Sequence, residues 1–335
     1  MSTTESRSSI AKGLLALVET LSAGYNMVLR RIWIVVLPVA LDLYLWLGPR
    51  LSIRPLTRSL LNLWRPLEEG PAEIQSLLAF NRELLEAMGR EVNLFSFLSS
   101  GLLGVPSYLA PGLPKSVAGS AVTWGEGWSA LVVLVLIPML VVIGLLLGSL
   151  YLGAMAQFAR DSRVDWKRLL QRVWRYWGLI VLFGILLLGV LAILGFPLMM
   201  VVTLLDLVSP ALARFALLGV AGLVLWMLFH LFFVPHAIVV SESGLLRAVV
   251  NSLVIVGRNF WSALALVVLM NLISAGFGVI WDRISVNALL TAVSIAGNAF
   301  IGTGLVAASL IFYRDRLKQW HARIEQVRSA SSEEN

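Results

Sequence analysis

"YWGLIVLFGILLLGVLAILGFPLMMVVTLL", residues 176–205, runs for 30 positions without an Asp, Glu, Lys or Arg. About 20 apolar residues at a 1.5 Å rise cross the hydrocarbon core of a bilayer, so this stretch is long enough to span one. Four more charge-free runs share the property: Gly127–Ala159, Phe215–Ser241, Asn259–Trp281 and Ile284–Tyr313. A sixth candidate, Met27–Leu47, holds one acid, Asp42. The pattern predicts an all-α integral membrane bundle of six transmembrane helices with amphipathic interfacial helices and one long helical outer loop.

Composition points the same way. Of the 335 residues 59% are hydrophobic and 13% charged, with a mean hydropathy of +0.86. A soluble domain carries about 25% charged residues, and so few charges cannot cover this much apolar surface. The chain has no cysteine, which excludes disulfides and thiol chemistry, and three histidines, His230, His236 and His321, too few for a polyhistidine metal site. The net charge of +7 sits beside apolar runs rather than in a separate basic domain, so nucleic acid is not an expected partner. With the N-terminus inside, the short inner segments hold 17 Lys and Arg and the short outer loops hold 2. That bias, with an even number of spans, places both termini in the cytoplasm. No small-x-small cleavage site follows the apolar run from Ile32, so the segment reads as a span rather than a signal peptide.

The expected organisation is an amphipathic surface segment at 1–29, a first transmembrane helix at 30–48, an outer helical loop at 49–126, a five-helix core at 127–315 and a tail at 316–335. The core spans fall at about 128–158, 177–205, 214–240, 260–281 and 285–313, joined by cytoplasmic elbows at 160–176 and 242–259. In 1–29, Ile10, Leu14, Leu17, Val18, Leu21, Tyr25 and Val28 recur at helical spacing. In the outer loop, Ile74, Leu77, Leu78, Leu84, Leu85 and Met88 form one apolar stripe after Pro71, and the three prolines of "VPSYLAPGLP" (105–114) make that stretch irregular. The loop should fold down onto the membrane face; a substrate-binding cap is the alternative.

The elbow "RDSRVDWKRLLQRVWRYWG" (160–178) places Trp166, Leu169, Leu170, Val173, Trp174 and Trp177 on one helix face and Lys167, Arg168, Arg172 and Arg175 on the other, with Ser162 or Asp165 as cap. This is the pattern of a helix lying in the headgroup layer. Its cations are candidates for contact with anionic lipid or a protein partner; its bland reading is an orientation signal. The second elbow repeats the spacing with Leu246, Val249, Val250, Leu253 and Val254 but keeps little positive charge.

"FVPHAIVVSESG", "LLRAVVNSLVIVGRNFW" and the final "IFYRDRL" resemble the bacterial multi-pass membrane-domain family found fused to some glycerophosphodiester phosphodiesterases, and its stand-alone relatives. The likeness covers roughly 140–318 and implies a six-helix bundle. No stretch is long enough to hold a phosphodiesterase domain, so hydrolysis does not follow from it.

Within the spans, Asp42 lies six residues before Gly48, too deep for so short a side chain to reach the surface. It either ties the first span to the outer loop or another span, or serves a transport path, with Asp206, Arg214, Arg283 and Asn287 expected in the same half of the bundle. Asn271 and Asn298 fall near mid-membrane and are placed to bond across a helix interface. His230 reads as a satisfied imidazole. Gly144 and Gly148 form GxxxG, Ala299, Thr303 and Ala307 repeat every four residues, and both sets permit close helix contact inside the chain or in a homodimer. Pro138, Pro197 and Pro235 should interrupt three spans. No catalytic, cofactor or metal motif appears, and the sequence predicts a non-enzymatic membrane component, with a small-solute or lipid transporter as the alternative.

Overall fold

The computed structural model describes residues 3–64, 72–99, 105–110 and 122–333. Pro71, residues 111–114 of the proline-rich stretch and the side chains of Ile10, Leu14, Ile74, Leu77 and Leu78 lie outside the described set. Among the described residues the chain is all-α apart from one two-residue strand pair. Among the described residues five helical spans are long and apolar enough to cross a membrane: Ala130–Asp161, Trp166–Val208, Pro210–Val240, Phe260–Ile284 and Ala288–Gln326. The first candidate differs. It is a 3-10 turn, Ile32–Val35, followed by a 12-residue helix, Val36–Leu47. Together these rise about 26 Å, short of the ~30 Å hydrocarbon core.

In chain order the helices are α1 (Thr3–Arg30), α2 (Val36–Leu47), α3 (Arg54–Trp64), α4 (Ala72–Glu91), α5 (Ala130–Asp161), α6 (Trp166–Val208), α7 (Pro210–Leu231), α8 (Val234–Val240), α9 (Leu245–Arg258), α10 (Phe260–Ile284) and α11 (Ala288–Glu333). The chain divides into two compact units. One comprises Met1–Met27, Leu152–Asn271 and Ala307–Asn335, the other Val28–Tyr151 and Leu272–Val306.

In the first unit α6 runs unbroken for 43 residues, about 64 Å, which exceeds a bilayer with its headgroups. The Trp–Arg elbow is therefore the opening three turns of a span, not a separate helix in the headgroup layer. Asp165 caps it, its Oδ1 accepting from Arg168 N at 3.1 Å. Ser209 ends α6 and Pro210 starts α7 at the position where a missing N–H costs nothing. Of the three prolines, Pro138 and Pro197 sit inside continuous helices. Only Pro235 coincides with a break, at Phe232–Phe233 between α7 and α8. The second elbow is an autonomous 14-residue helix, α9, set off by Ser241–Gly244 before it and Asn259 after it.

The second unit holds the strand pair. Arg50–Leu51 lies parallel to Thr123–Trp124, and Asn93 Oδ1 accepts from Leu51 N at 3.0 Å and Phe95 N at 3.2 Å. Beneath it Leu51, Ile53, Leu94, Val133 and Leu140 form a buried cluster. The stretch Leu94–Leu98 is a 3-10 turn, and 105–110 is irregular. Both reach far along the long helices rather than resting on their ends. A Cβ on Gly144 would lie 2.6 Å from the Leu98 carbonyl oxygen, and one on Gly302 would overlap the Pro106 ring. Each glycine is 14 residues, about 21 Å, from the start of its helix. Gly144 of the GxxxG pair thus accommodates a re-entering loop backbone rather than a helix. Ala299, Thr303 and Ala307 are all buried.

Candidate functional site

Asp42 is fully buried. The irregular stretch after Val105 brings it three donors: the Ser107 hydroxyl and the Leu109 N–H (3.3 Å) reach Oδ1, and the Tyr108 N–H reaches Oδ2 at 2.8 Å. Proline at 106 and the absence of helix free these N–H groups, and a carboxylate is the acceptor that can take all three. The Tyr108 ring packs with Trp46 and Ile295, and its hydroxyl contacts Asp282 at 3.2 Å and Ser285 at 2.9 Å. Ser285 also bonds Ser294 at 2.9 Å. Asp42 is thus a clasp between α2 and the re-entering loop. Asn287, expected in the same half of the bundle as Asp42, caps α11, its Oδ1 accepting from Leu290 N at 2.9 Å.

Asn271 and His230 are engaged locally. Asn271 donates to the Val267 carbonyl of its own helix at 2.8 Å and faces outward, and Asn298 is half-buried on α11. His230 Nδ1 lies 2.9 Å from the Trp226 carbonyl oxygen, and its ring packs on Trp226 and Phe229. His236 is buried, with Nε2 2.8 Å from Ser309 Oγ. Among the described residues no group of three His, Asp or Glu comes together to hold a metal ion.

The Trp–Arg elbow separates into two apolar stripes. Leu169, Val173, Tyr176, Ile180 and Phe183 face the core of the unit, while Trp166, Leu170 and Trp174 are more than half exposed one turn apart. Trp174 and Trp177 meet edge to face. The apolar stripe of α9 is turned away from the core of the unit. The buried face of the helix is Ala248, Ser252, Ile255 and Val256, and Leu246, Val250 and Leu253 point outward. Ser252 donates to the His230 carbonyl at 2.6 Å. Arg258, at the end of α9, stacks 3.8 Å over the Trp320 ring.

Arg160 at the end of α5 and Arg168, Arg172 and Arg175 at the start of α6 form a basic collar that converges on one acid, Glu242. Arg172 contacts its carboxylate, Arg160 Nη1 lies 2.8 Å and Arg168 Nη2 3.6 Å from Oε1, and Arg175 Nη2 donates to its backbone carbonyl at 3.2 Å. Asp161 adds a second carboxylate, 3.1 Å from Arg160 and 3.8 Å from Arg168. Glu242 has φ +50, a left-handed conformation that costs a residue with a Cβ about 1–2 kcal/mol. The arginines hold it there. Sequence reasoning singled out Lys167, Arg168, Arg172 and Arg175 but missed Glu242 and Arg160. The available signal is a lone acid between a charge-free run and the "SG" that opens α9.

No family model matches the chain, and neither does any curated protein or solved structure.

Proposed function

We propose that this chain is a non-enzymatic organising or accessory component of a bacterial plasma membrane whose basic collar engages anionic lipid on the cytoplasmic side. The observation that carries the reading is the pairing of two features on one helix end: Trp166, Leu170 and Trp174 exposed as a stripe beside Lys167, Arg168, Arg172 and Arg175. Indole rings favour the headgroup boundary, and each cation near an anionic leaflet contributes about 1 kcal/mol. The outward Leu246, Val250 and Leu253 of α9 give a second apolar surface suited to the same layer. A transport role for Asp42 has less support, because its oxygens already hold three loop donors.

Neutralising Arg168, Arg172 and Arg175 to glutamine together is expected to lower retention of phosphatidylglycerol on the purified protein by about tenfold or more, since three cations at ~1 kcal/mol each are lost. Native mass spectrometry against the unmodified chain measures it, with circular dichroism to show that helicity is retained. Unchanged retention in a folded variant refutes the reading. Because the chain lacks cysteine, orientation is separately testable. A cysteine at Ser162 should resist an impermeant thiol reagent on intact cells, and one at the exposed Val122 should react.

A further inference from the structure

We propose that the guanidinium cluster of Arg160, Arg168, Arg172 and Arg175 is a binding site for a phosphomonoester group, and that Glu242 is the built-in counter-ion which such a group displaces. The inference rests on the reading that the collar meets anionic lipid and names the headgroup chemistry it selects.

Convergence comes first. Three guanidiniums lie within 4 Å of one carboxylate, and a fourth holds the carbonyl of the same residue. Planar forks aimed at one point from α5 and α6 suit a tetrahedral oxyanion, which offers more acceptor oxygens than a carboxylate. Charge comes second. Four arginines against Glu242 and Asp161 leave two positive charges uncompensated, and moving Glu242 out leaves three. A phosphomonoester carries about −1.5 to −2 near pH 7, a better match than the single charge of a phosphodiester.

Displacement is built into the loop. Glu242 occupies the break between α8 and α9 in a left-handed conformation. The residues on either side are anchored independently of it: Ser241 Oγ lies 3.1 Å from the Tyr313 hydroxyl, and Ser243 Oγ donates to the Ala237 carbonyl at 3.3 Å. Gly244 is exposed with open space where a side chain would stand. The carboxylate can therefore swing out, relieving its backbone, without moving either helix. The site is reachable, since the Glu242 side chain is 21% exposed and those of Arg160, Arg168 and Arg172 are 28–42% exposed. The Trp166–Leu170–Trp174 stripe on the same turns offers a surface for the acyl chains of a lipid that carries the group.

The test uses the full-length chain in detergent, titrated with short-chain phosphatidate, phosphatidylglycerol of the same chain length and inorganic phosphate, and read by native mass spectrometry. Phosphatidate is expected to bind about tenfold tighter than phosphatidylglycerol, and Glu242→Gln to tighten phosphatidate severalfold further. Competition by millimolar inorganic phosphate would assign the site to the phosphate group alone; no competition would assign it to a phosphate carried on lipid. An environment-sensitive fluorophore on Gly244→Cys, in a chain otherwise wild type, should report departure of the nearby Glu242 side chain on adding phosphatidate, which keeps the test independent of how Glu242→Gln folds. Equal affinity for the two lipids, or a silent fluorophore at saturating phosphatidate, overturns the proposal. If the triple arginine variant loses phosphatidylglycerol while phosphatidate shows no preference, the collar reading stands and this one falls. If neither lipid binds the wild-type chain, both fall.

Discussion

Replacing Asp42 by alanine is expected to remove about 3–5 kcal/mol of stability, the largest loss of any single polar substitution in the chain. The size follows from what is left behind. The Ser107 hydroxyl can turn away, and it already accepts from Ala110 N at 3.0 Å. The Tyr108 and Leu109 N–H groups cannot, because they are backbone donors in a non-helical stretch packed among apolar side chains. A buried donor without an acceptor costs about 1–3 kcal/mol, and inside a membrane protein no bulk water is at hand to replace the carboxylate. Loss of register at Tyr108 would also disturb its hydroxyl contacts to Asp282 and Ser285. Asp42→Asn keeps the shape but offers one acceptor oxygen and turns an N–H₂ toward other donors, so a smaller loss of about 1–2 kcal/mol is expected. Thermal or denaturant unfolding in detergent orders the three proteins. A variant Asp42→Ala as stable as the wild type would dismiss the clasp. A stable Asp42→Asn that abolished a measured solute flux would restore the transport reading.

Asp42 was readable in advance as a group needing a partner, because a lone carboxylate amid apolar residues admits few fates. Its partner was not readable. Residues 105–110 are neither periodic nor long, so nothing in their hydropathy says that they turn into the bundle instead of lying on it. The long spans were legible for the opposite reason: a charge-free run of 23 or more residues has one physical solution in lipid. Which side of a span faces inward was not legible, since lipid tails and a protein core are equally apolar. The α9 helix illustrates this. It has one apolar face of Leu246, Val250 and Leu253 and another of Ala248, Ser252, Ile255 and Val256, and hydropathy alone does not say that the second is the buried one. The Trp–Arg elbow fails differently. Helical periodicity across 166–177 is identical whether the helix bends before the next span or continues through it, and here it continues to Val208. Glu242 escaped notice because its partners are 67 to 82 positions away, a separation that local pattern cannot carry.

The re-entering loop makes a second large and selective effect predictable. Gly144→Ala places a methyl group 2.6 Å from the Leu98 carbonyl oxygen and 2.7 Å from that of Phe97, and both contacts are backbone, which cannot yield by changing a rotamer. Gly302→Ala drives a methyl into the Pro106 ring, itself conformationally fixed. Each substitution should cost about 1–3 kcal/mol of overpacking, against the gain of up to ~1 kcal/mol that alanine normally brings to a helix interior. The two losses should sum to less than their separate values, because one displaced loop relieves both clashes and contact-sharing sites do not add. Gly189→Ala and Gly219→Ala supply the contrast. Those glycines meet nothing within 4 Å, so the same chemical change there should be neutral or mildly stabilising. Unfolding of the four single variants and the Gly144/Gly302 double variant in one detergent gives the comparison. Four alike stabilities would mean that the loop does not lie against α5 and α11, and would leave Asp42 without the partner on which its own prediction depends.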